Sequence, residues 1–336
     1  MIATPKPQGA RRSRVETRLK LRVKTMAAPN RGYEYHESVL LAETIERLAP
    51  APGRVFLDGT VGGGGHAAAL LAAGATVVGM DHDEEALDHA FRRLAGYGER
   101  FVPARCNFSE AGEALDGLGI ARLDGVLLDL GVSSRHLDAA ERGFSFMKEG
   151  PLDMRMDARG LTTAADLVNT LSDDELERIF RQFGEEPAAR RIAARITRER
   201  MQNPIATTLD LARLVESVVP RHSRAHPATK VFQALRIAVN RELDVLAEGL
   251  AQLSARLAPG GRFAVITFHS LEDTIVQDFF KSHSVATLDR PEWPEARPNP
   301  DRIFRKITGK PVIASAAEQR ANPRSRSAKL RVVERL

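Results

Sequence analysis

A single cysteine, Cys106, is the only thiol in this chain of 336 residues. One cysteine excludes an internal disulfide framework and a zinc site built from several thiolates, and it suits a reducing cytoplasm. Its expected role is a small buried residue ending a strand rather than a reactive thiol. Long apolar runs are lacking too: no uninterrupted stretch approaches the ~20 residues that a helical membrane span requires, so no membrane partner is expected. The N-terminal segment lacks the apolar core of a secretory signal. No internal repeat is found. What remains is a globular composition, 43% hydrophobic and 28% charged, at a length that suits one large domain carrying an insertion, or two domains.

A global basic excess is also absent once the net charge of +5 is divided along the chain. Residues 1–30 hold eight Lys/Arg against Glu16 alone, a charge of +7, which leaves −2 for the rest. The body is therefore not a uniformly basic RNA binder. Its positive charge is local, with eleven Lys/Arg and three acids between Arg297 and Leu336. Such a stretch can meet phosphates. The basic tail reads either as a disordered RNA-touching arm or, given the second methionine Met26, as a mis-assigned start.

From Arg54 to Leu130 short apolar runs alternate with helical patterns, the signature of βαβ units and a parallel sheet. Strands are expected at Arg54–Asp58, Thr76–Asp81, Phe101–Cys106 and Gly125–Leu130, with helices at His66–Ala73, Glu84–Leu94 and Ser109–Leu118. A helix near Ser38–Leu48 precedes them. From about Leu137 to Arg224 the patterns are helical or irregular, and Ser172 to Glu175 reads as a capping box opening a helix through Phe183. The α/β rhythm resumes with one long helix, about Lys230–Leu257, a strand at Arg262–Phe268, and a helix capped by Ser270 with Asp273. Ser327–Glu334 alternates as a final strand.

Val55 to Thr60 ends a buried strand, and Gly62 to Gly65 let the backbone turn tightly toward a ligand at the next helix start. The glycines alone do not choose the ligand. Gly62-x-Gly64-x-x-Ala67 also fits the dinucleotide fingerprint, and Asp81 at the second strand's end can hold the ribose of either cofactor. Asp58, before the glycines, would repel a pyrophosphate and can meet the cationic methionine end of S-adenosylmethionine. Asp129 puts a further carboxylate at the fourth strand's tip, beside the crevice where open α/β sheets bind ligands. An acid-lined pocket suits a sulfonium. His66 can be a contact or a solvent-facing helix start, and Phe108 can stack on adenine or simply pack in the core.

Further segments make the pattern specific: His36-Glu37-Ser38-Val39-Leu40-Leu41, Gly64-Gly65-His66, Asp129 to Ser134, Arg142-Gly143-Phe144-Ser145-Phe146, Pro151 to Asp157, His226-Pro227-Ala228-Thr229, Phe268 to Asp273, and Asn322-Pro323-Arg324. With Asp58-Gly59-Thr60 they resemble the RsmH (MraW) family from His36 to the C-terminus. Members methylate the N4 amine of a cytosine in small-subunit (16S) ribosomal RNA. The resemblance implies an α/β class I (Rossmann-like) methyltransferase sheet with an inserted helical domain. It implies S-adenosyl-L-methionine as cofactor and donor contacts at Gly64, Gly65, His66, Asp81, Phe108, Asp129 and His136. At position 136 the family often has Gln, and His adds a titratable group. The expected division is a tail, 1–30, without counterpart; a methyltransferase domain, 31–136 plus 225–336; and a substrate-recognition insert, 137–224.

The Asp/Ser/Asn-Pro-Pro-aromatic device of many base amino-methyltransferases is missing, its place taken by Asp129-Leu130-Gly131-Val132. The catalytic residue is left open. His269, following the fifth strand, is a candidate acceptor or proton relay, with hydrogen bonding at a helix entry as its competing role. Arg191, Arg195 and Arg198 share one helical face and are candidate phosphate contacts, against the ordinary role of a solvated stripe. Arg155, within Asp153 to Asp157, is expected at the cleft, and Arg324, Arg326, Lys329 and Arg331 are further phosphate candidates. The expected partner is 16S ribosomal RNA or the small ribosomal subunit in the cytoplasm, with self-association into a homodimer left open. The competing functions are an NAD-type oxidoreductase and a non-catalytic RNA-binding assembly factor.

Overall fold

Asp58, Asp81 and Asp129 end three neighbouring strands of one sheet, which places three carboxylates along a single edge. The computed structural model describes residues 38–220 and 226–336; the basic tail, Met26, His36 and Glu37 lie outside the described residues. Strands β1 (Val55–Asp58), β2 (Thr76–Asp81), β3 (Phe101–Arg105), β4 (Leu123–Asp129) and β5 (Leu257–Thr267) run parallel in the order β3-β2-β1-β4-β5. A pair apart from this sheet is β6 (Thr287–Leu288) with β7 (Arg297–Pro298). Beyond β5 the main sheet continues antiparallel, with β8 (Phe304–Lys306) and β9 (Val312–Ile313) both pairing β10 (Lys329–Arg335). The strand order reverses between β1 and β4. Such a reversal opens a crevice outside the carboxyl ends of the strands, where ligands bind.

The sheet is covered on both faces because alternate side chains of its strands are all apolar. Phe56, Val77, Leu127 and Ile266 face one layer, built from α1 (Leu41–Leu48), α2 (Gly65–Ala72) and α3 (Glu84–Leu94). Leu57, Val78, Leu128 and Val265 face the other, which includes α4 (Ala111–Leu118). Between β4 and β5 the chain leaves the sheet. There α5 (Ser134–Asp138), α6 (Ala164–Thr170), α7 (Asp173–Gly184), α8 (Ala189–Arg200) and α9 (Thr208–Val218) precede α10 (Thr229–Asn240). Residues of α6 to α10 share one apolar cluster around Phe180, Ile192, Leu211 and Leu235. Ser172 and Glu175 form the expected reciprocal cap of α7.

Two expectations are corrected. The single helix over 230–257 is two, α10 and α11 (Glu242–Arg256), because Arg241 takes a left-handed conformation with φ 50°. The break is held from the side: Asn240 Nδ2 donates to the Met154 carbonyl, and its Oδ1 accepts the Met156 N–H. The helix after β5, α12 (Ser270–Ser282), is capped not by Ser270 with Asp273 but by His269 with Glu272. Ser270 instead donates to Glu185 Oε2, and Asp273 takes Lys329 and Arg331 from β10. A last short helix, α13 (Ala316–Ala321), reaches the start of α1, where Glu318 accepts the Leu40 N–H. Among the described residues no helix is long and apolar enough to cross a membrane.

Candidate active site

A cleft of about 430 Å³ opens at the carboxyl ends of β1, β2 and β4. Its floor is the glycine turn. Gly62 takes φ 48° and Gly64 φ 76°, conformations that glycine adopts without strain. Asp81 fastens this turn to the next strand, because its Oδ2 accepts the Gly62 N–H at 3.0 Å while its Oδ1 accepts the Asp83 N–H at 2.9 Å. A carboxylate keeps lone pairs beyond these two bonds, so Asp81 can still accept a ribose hydroxyl.

The structure brings Gly65, His66, Asp81, Phe108, Asp129 and His136 to this one cleft. Gly64 is placed differently, with its Cα turned toward Ala90 and Leu94 of α3 rather than into the cleft. Asp58 also departs from expectation: it is 1% exposed and lies beneath the turn, where its Oδ1 accepts the Thr60 N–H at 3.3 Å. It therefore acts through the backbone and through its field, not by touching a ligand. Burial, with the neighbouring charge of Asp81, pushes its pKa up to about 7 despite that hydrogen bond. Burial first, then Asp58 and Glu272, holds Asp129 well above the usual carboxylate range.

His66 is 5% exposed, and burial lowers its pKa to about 4, so the ring is neutral at physiological pH. Its Nε2 meets the Val39 carbonyl at 3.2 Å, and its Nδ1 lies 3.6 Å from Asp129 Oδ2. Asp129 Oδ1 is enclosed and has no hydrogen-bond partner. Phe108 packs its ring over Gly249 of α11, where a Cβ would collide with it.

Asp83 was not legible as a site residue. It caps α3 by accepting the Glu85 N–H, and its Oδ2 takes both His136 Nε2 at 2.7 Å and Arg142 Nη1 at 3.0 Å. Burial alone would raise its pKa; the hydrogen bonds and charge interactions with His136 and Arg142 overcome this and hold it well below the usual range. Arg142 continues to the carbonyls of Arg155 and Met156, tying the insert to the cleft rim. A second buried group lies at the far end: Arg236 makes a two-point ion pair with Glu242, at 2.8 and 2.9 Å, beside Glu272.

His269 does not line the cleft, and its Nδ1 accepts the Glu272 N–H, the helix-entry role. Arg155 is folded back on Asp153, leaving Met156 as the part of that segment that lines the cleft. Arg191 and Arg198 stand exposed on α8, away from the cleft, with Arg195 paired to Glu199. Arg324 lines the cleft mouth and pairs with Asp138, Lys329 and Arg331 are engaged by Asp273, and Arg326 is exposed.

The profile of the MraW methylase family matches residues 34–336. The chain belongs to that family. Relatives named ribosomal RNA small subunit methyltransferase H include that of Syntrophotalea carbinolica, 54% identical over 307 residues, covering 90% of this chain and 98% of the relative. That of Geobacter sulfurreducens is 49% identical over 307 residues, covering 90% and 99%. That of Maridesulfovibrio salexigens is 50% identical over 310 residues, covering 90% and 96%. In this MraW methylase, the switch-point cleft with its glycine turn and acid-tipped strands is accordingly the candidate methyl-transfer site.

Proposed function

We propose that this MraW methylase transfers a methyl group from S-adenosylmethionine to the N4 amine of a cytosine in 16S ribosomal RNA. The bound donor supplies an electrophilic methyl group on a sulfonium. The observation that carries the reading is Asp129, a carboxyl at the β4 tip with an oxygen lacking any partner, in the same cleft as the glycine turn and Asp81. The residues fit the donor. The turn through Gly65 and the buried His66 form the wall for its methionine end, Asp81 is the ribose acceptor, and Phe108 is the apolar surface for adenine. His136 acts indirectly, by fixing Asp83 beside Asp81. A pyrophosphate in this place would face Asp129 above buried Asp58, which disfavours a dinucleotide.

The cytosine amine is a poor nucleophile because its lone pair is delocalised into the ring, so a hydrogen-bond acceptor must localise that pair and aim it. The target base leaves any stack to enter the cleft, which suits looped or single-stranded RNA. The insert, 137–224, is assigned the grip on that RNA through Arg191, Arg195 and Arg198, in the cytoplasm and on the small subunit. The names of the relatives support this partner. The test is methyl transfer from labelled donor to small subunits lacking the modification, followed by nucleoside analysis. N4-methylcytidine is the expected product, and any other labelled nucleoside, or none, overturns the assignment.

A further inference from the structure

The far end of the cleft holds a charged pair that the donor contacts leave unused. Arg236 of α10 and Glu242, the first residue of α11, meet at two points, 2.8 and 2.9 Å apart, and both line the cleft. Their side chains are 15% and 11% exposed. Desolvating two ions offsets much of their attraction, so such a pair is weak evidence of a purely stabilising role. The helix break that it crosses is already held from the side by Asn240. Along α11, Val245 and Leu246 follow Glu242 in lining the cleft, and Gly249 then packs against Phe108. Seven helical residues span about 10 Å. With adenine on Phe108, that span is room for the donor's sulfonium and for a base approaching it.

The other carboxyls near this end are engaged or enclosed. Asp129 has one oxygen enclosed and the other 3.6 Å from His66. Glu272, 2% exposed, accepts the Phe268 and His269 N–H groups and lies 3.0 Å from His269 Nε2. We propose that Arg236 and Glu242 are the recognition pair for the target cytosine, Glu242 accepting an N4 hydrogen and Arg236 donating to the ring N3. The inference rests on the reading that the methyl acceptor is a cytosine amine.

The contact with Glu242 occupies Arg236 Nε and Nη2. Nη1 has no hydrogen bond among the described residues and is not an enclosed atom, so it is open to the cleft that Arg236 lines. Each Glu242 oxygen keeps a lone pair beyond its bond to Arg236. A donor beside an acceptor matches N3 and N4 of cytosine. Uracil presents N3–H and a carbonyl oxygen in the same places, so both contacts are reversed. Burial raises the pKa of Glu242 despite the Arg236 charge, and a more basic carboxylate is the stronger acceptor. A bond from N4 in the ring plane leaves the amine lone pair, perpendicular to that plane, to meet the methyl group. Glu242 thus supplies the acceptor that the missing Asp/Ser/Asn-Pro-Pro-aromatic device would have provided. Phe268 and Met156 add apolar cleft surface for the faces of the base.

Affinity for small subunits carrying cytidine or uridine at the methylated position measures this recognition without turnover. With S-adenosylhomocysteine bound, the wild type is expected to prefer cytidine by at least about tenfold, the effect of two mismatched buried hydrogen bonds. Glu242→Gln gives its oxygen to Arg236 and leaves an NH2 group that suits the uracil oxygen, not the N4 amine. Arg236→Lys keeps the charge but not the two-point contact. Each is expected to cut the preference to about threefold or less and kcat/KM on cytidine subunits about 100-fold, while donor affinity by calorimetry stays within about threefold. A pair that only braces the helices would weaken both subunits alike, and an unchanged ratio overturns the inference. A wild-type preference below about threefold also overturns it and needs no variant to fold. A wild-type enzyme that yields no N4-methylcytidine sinks the cytosine reading instead, an outcome distinct from both.

Discussion

His136 Nε2 lies 2.7 Å from Asp83 Oδ2, and neither side chain is more than 6% exposed. The pair is the middle of a chain that runs across the molecule. Asp83 donates its N–H to Asp81, the proposed ribose acceptor, and receives Arg142, whose far nitrogen holds the carbonyls of Arg155 and Met156. One carboxylate thus joins Asp81 on one side of the cleft to the segment 155–156, of which Met156 lines the same cleft.

Replacing Asp83 by Asn leaves Arg142, 18% exposed, without its charge partner. The expected loss of stability is about 3 kcal/mol, the order found when one member of a buried pair is removed. The folded-state pKa is depressed, so the stabilisation is fully present above the ordinary aspartate value of 3.8 and is lost as pH falls through the folded value. Thermal unfolding followed from about pH 5 down to about pH 1.5 should therefore show a steep acid limb below about pH 4 in the wild type and a shallower one in Asp83→Asn. Superimposable curves would show that the ion pair contributes nothing.

Donor binding should depend on pH with the opposite sense from the free protein's stability. Asp58 has its pKa raised to about 7, so its contribution to the free protein is present below 3.8 and lost as pH rises through about 7. A sulfonium nearby favours the ionised carboxylates. S-adenosylmethionine should then bind several-fold more tightly at pH 8 than at pH 6, about tenfold at most per titrating proton released, whereas uncharged S-adenosylhomocysteine should show little change. Equal pH profiles for the two ligands in calorimetry would contradict a charge-based site.

Asp81→Ala removes the proposed ribose acceptor and releases the Gly62 N–H that Asp81 holds at 3.0 Å. Both losses act on the donor, and hydrogen bonds to a charged group are worth about 1.5–3 kcal/mol each. Donor affinity should fall at least about tenfold while RNA affinity stays unchanged. An unaltered dissociation constant for the donor would place the ribose elsewhere.

Arg191 and Arg195 predict the reverse. The double change to Ala should leave donor affinity alone and weaken RNA binding, lowering the slope of log affinity against log salt by about two if each side chain neutralises a phosphate. Arg195 must leave Glu199, 2.8 Å away, to do so. An unchanged salt slope would reduce this face of α8 to a solvated stripe.

The strand tips were legible because buried parallel strands read as apolar runs, and an acid closing such a run has no packing reason to be there. Asp58, Asp81 and Asp129 all fell where the periodicity placed them, although only the structure shows that Asp58 lies under the turn. What escaped were pairings between distant or unexpected positions. Asp83 and Arg142 are 59 residues apart, and nothing local in either links them. The break between α10 and α11 falls at Arg241, without glycine or proline, where Asn240 is tied to the distant backbone of Met154 and Met156 and Arg236 pairs with Glu242 across the break. Ser270 outranks His269 as a cap by propensity, yet His269 reaches the Glu272 N–H. Strands β6 to β9 are two or three residues long, too short to carry a period.

Gly249 is the residue in α11 that local sequence would least protect, since Ala is the better helix former by about 1 kcal/mol. Here the preference should invert. A Cβ at this position would enter the ring of Phe108, which is 8% exposed and forms the proposed adenine wall of the cleft. Gly249→Ala should therefore destabilise the protein by about 1–3 kcal/mol, the range for overpacked cores. It should also weaken donor binding about tenfold by displacing the ring. Adding Phe108→Leu would return the room that the methyl group takes, so the double variant should recover melting temperature but not donor affinity. Recovery of both would mean that Phe108 only fills space, whereas recovery of stability alone separates the ring's part in holding the donor from its part in the core.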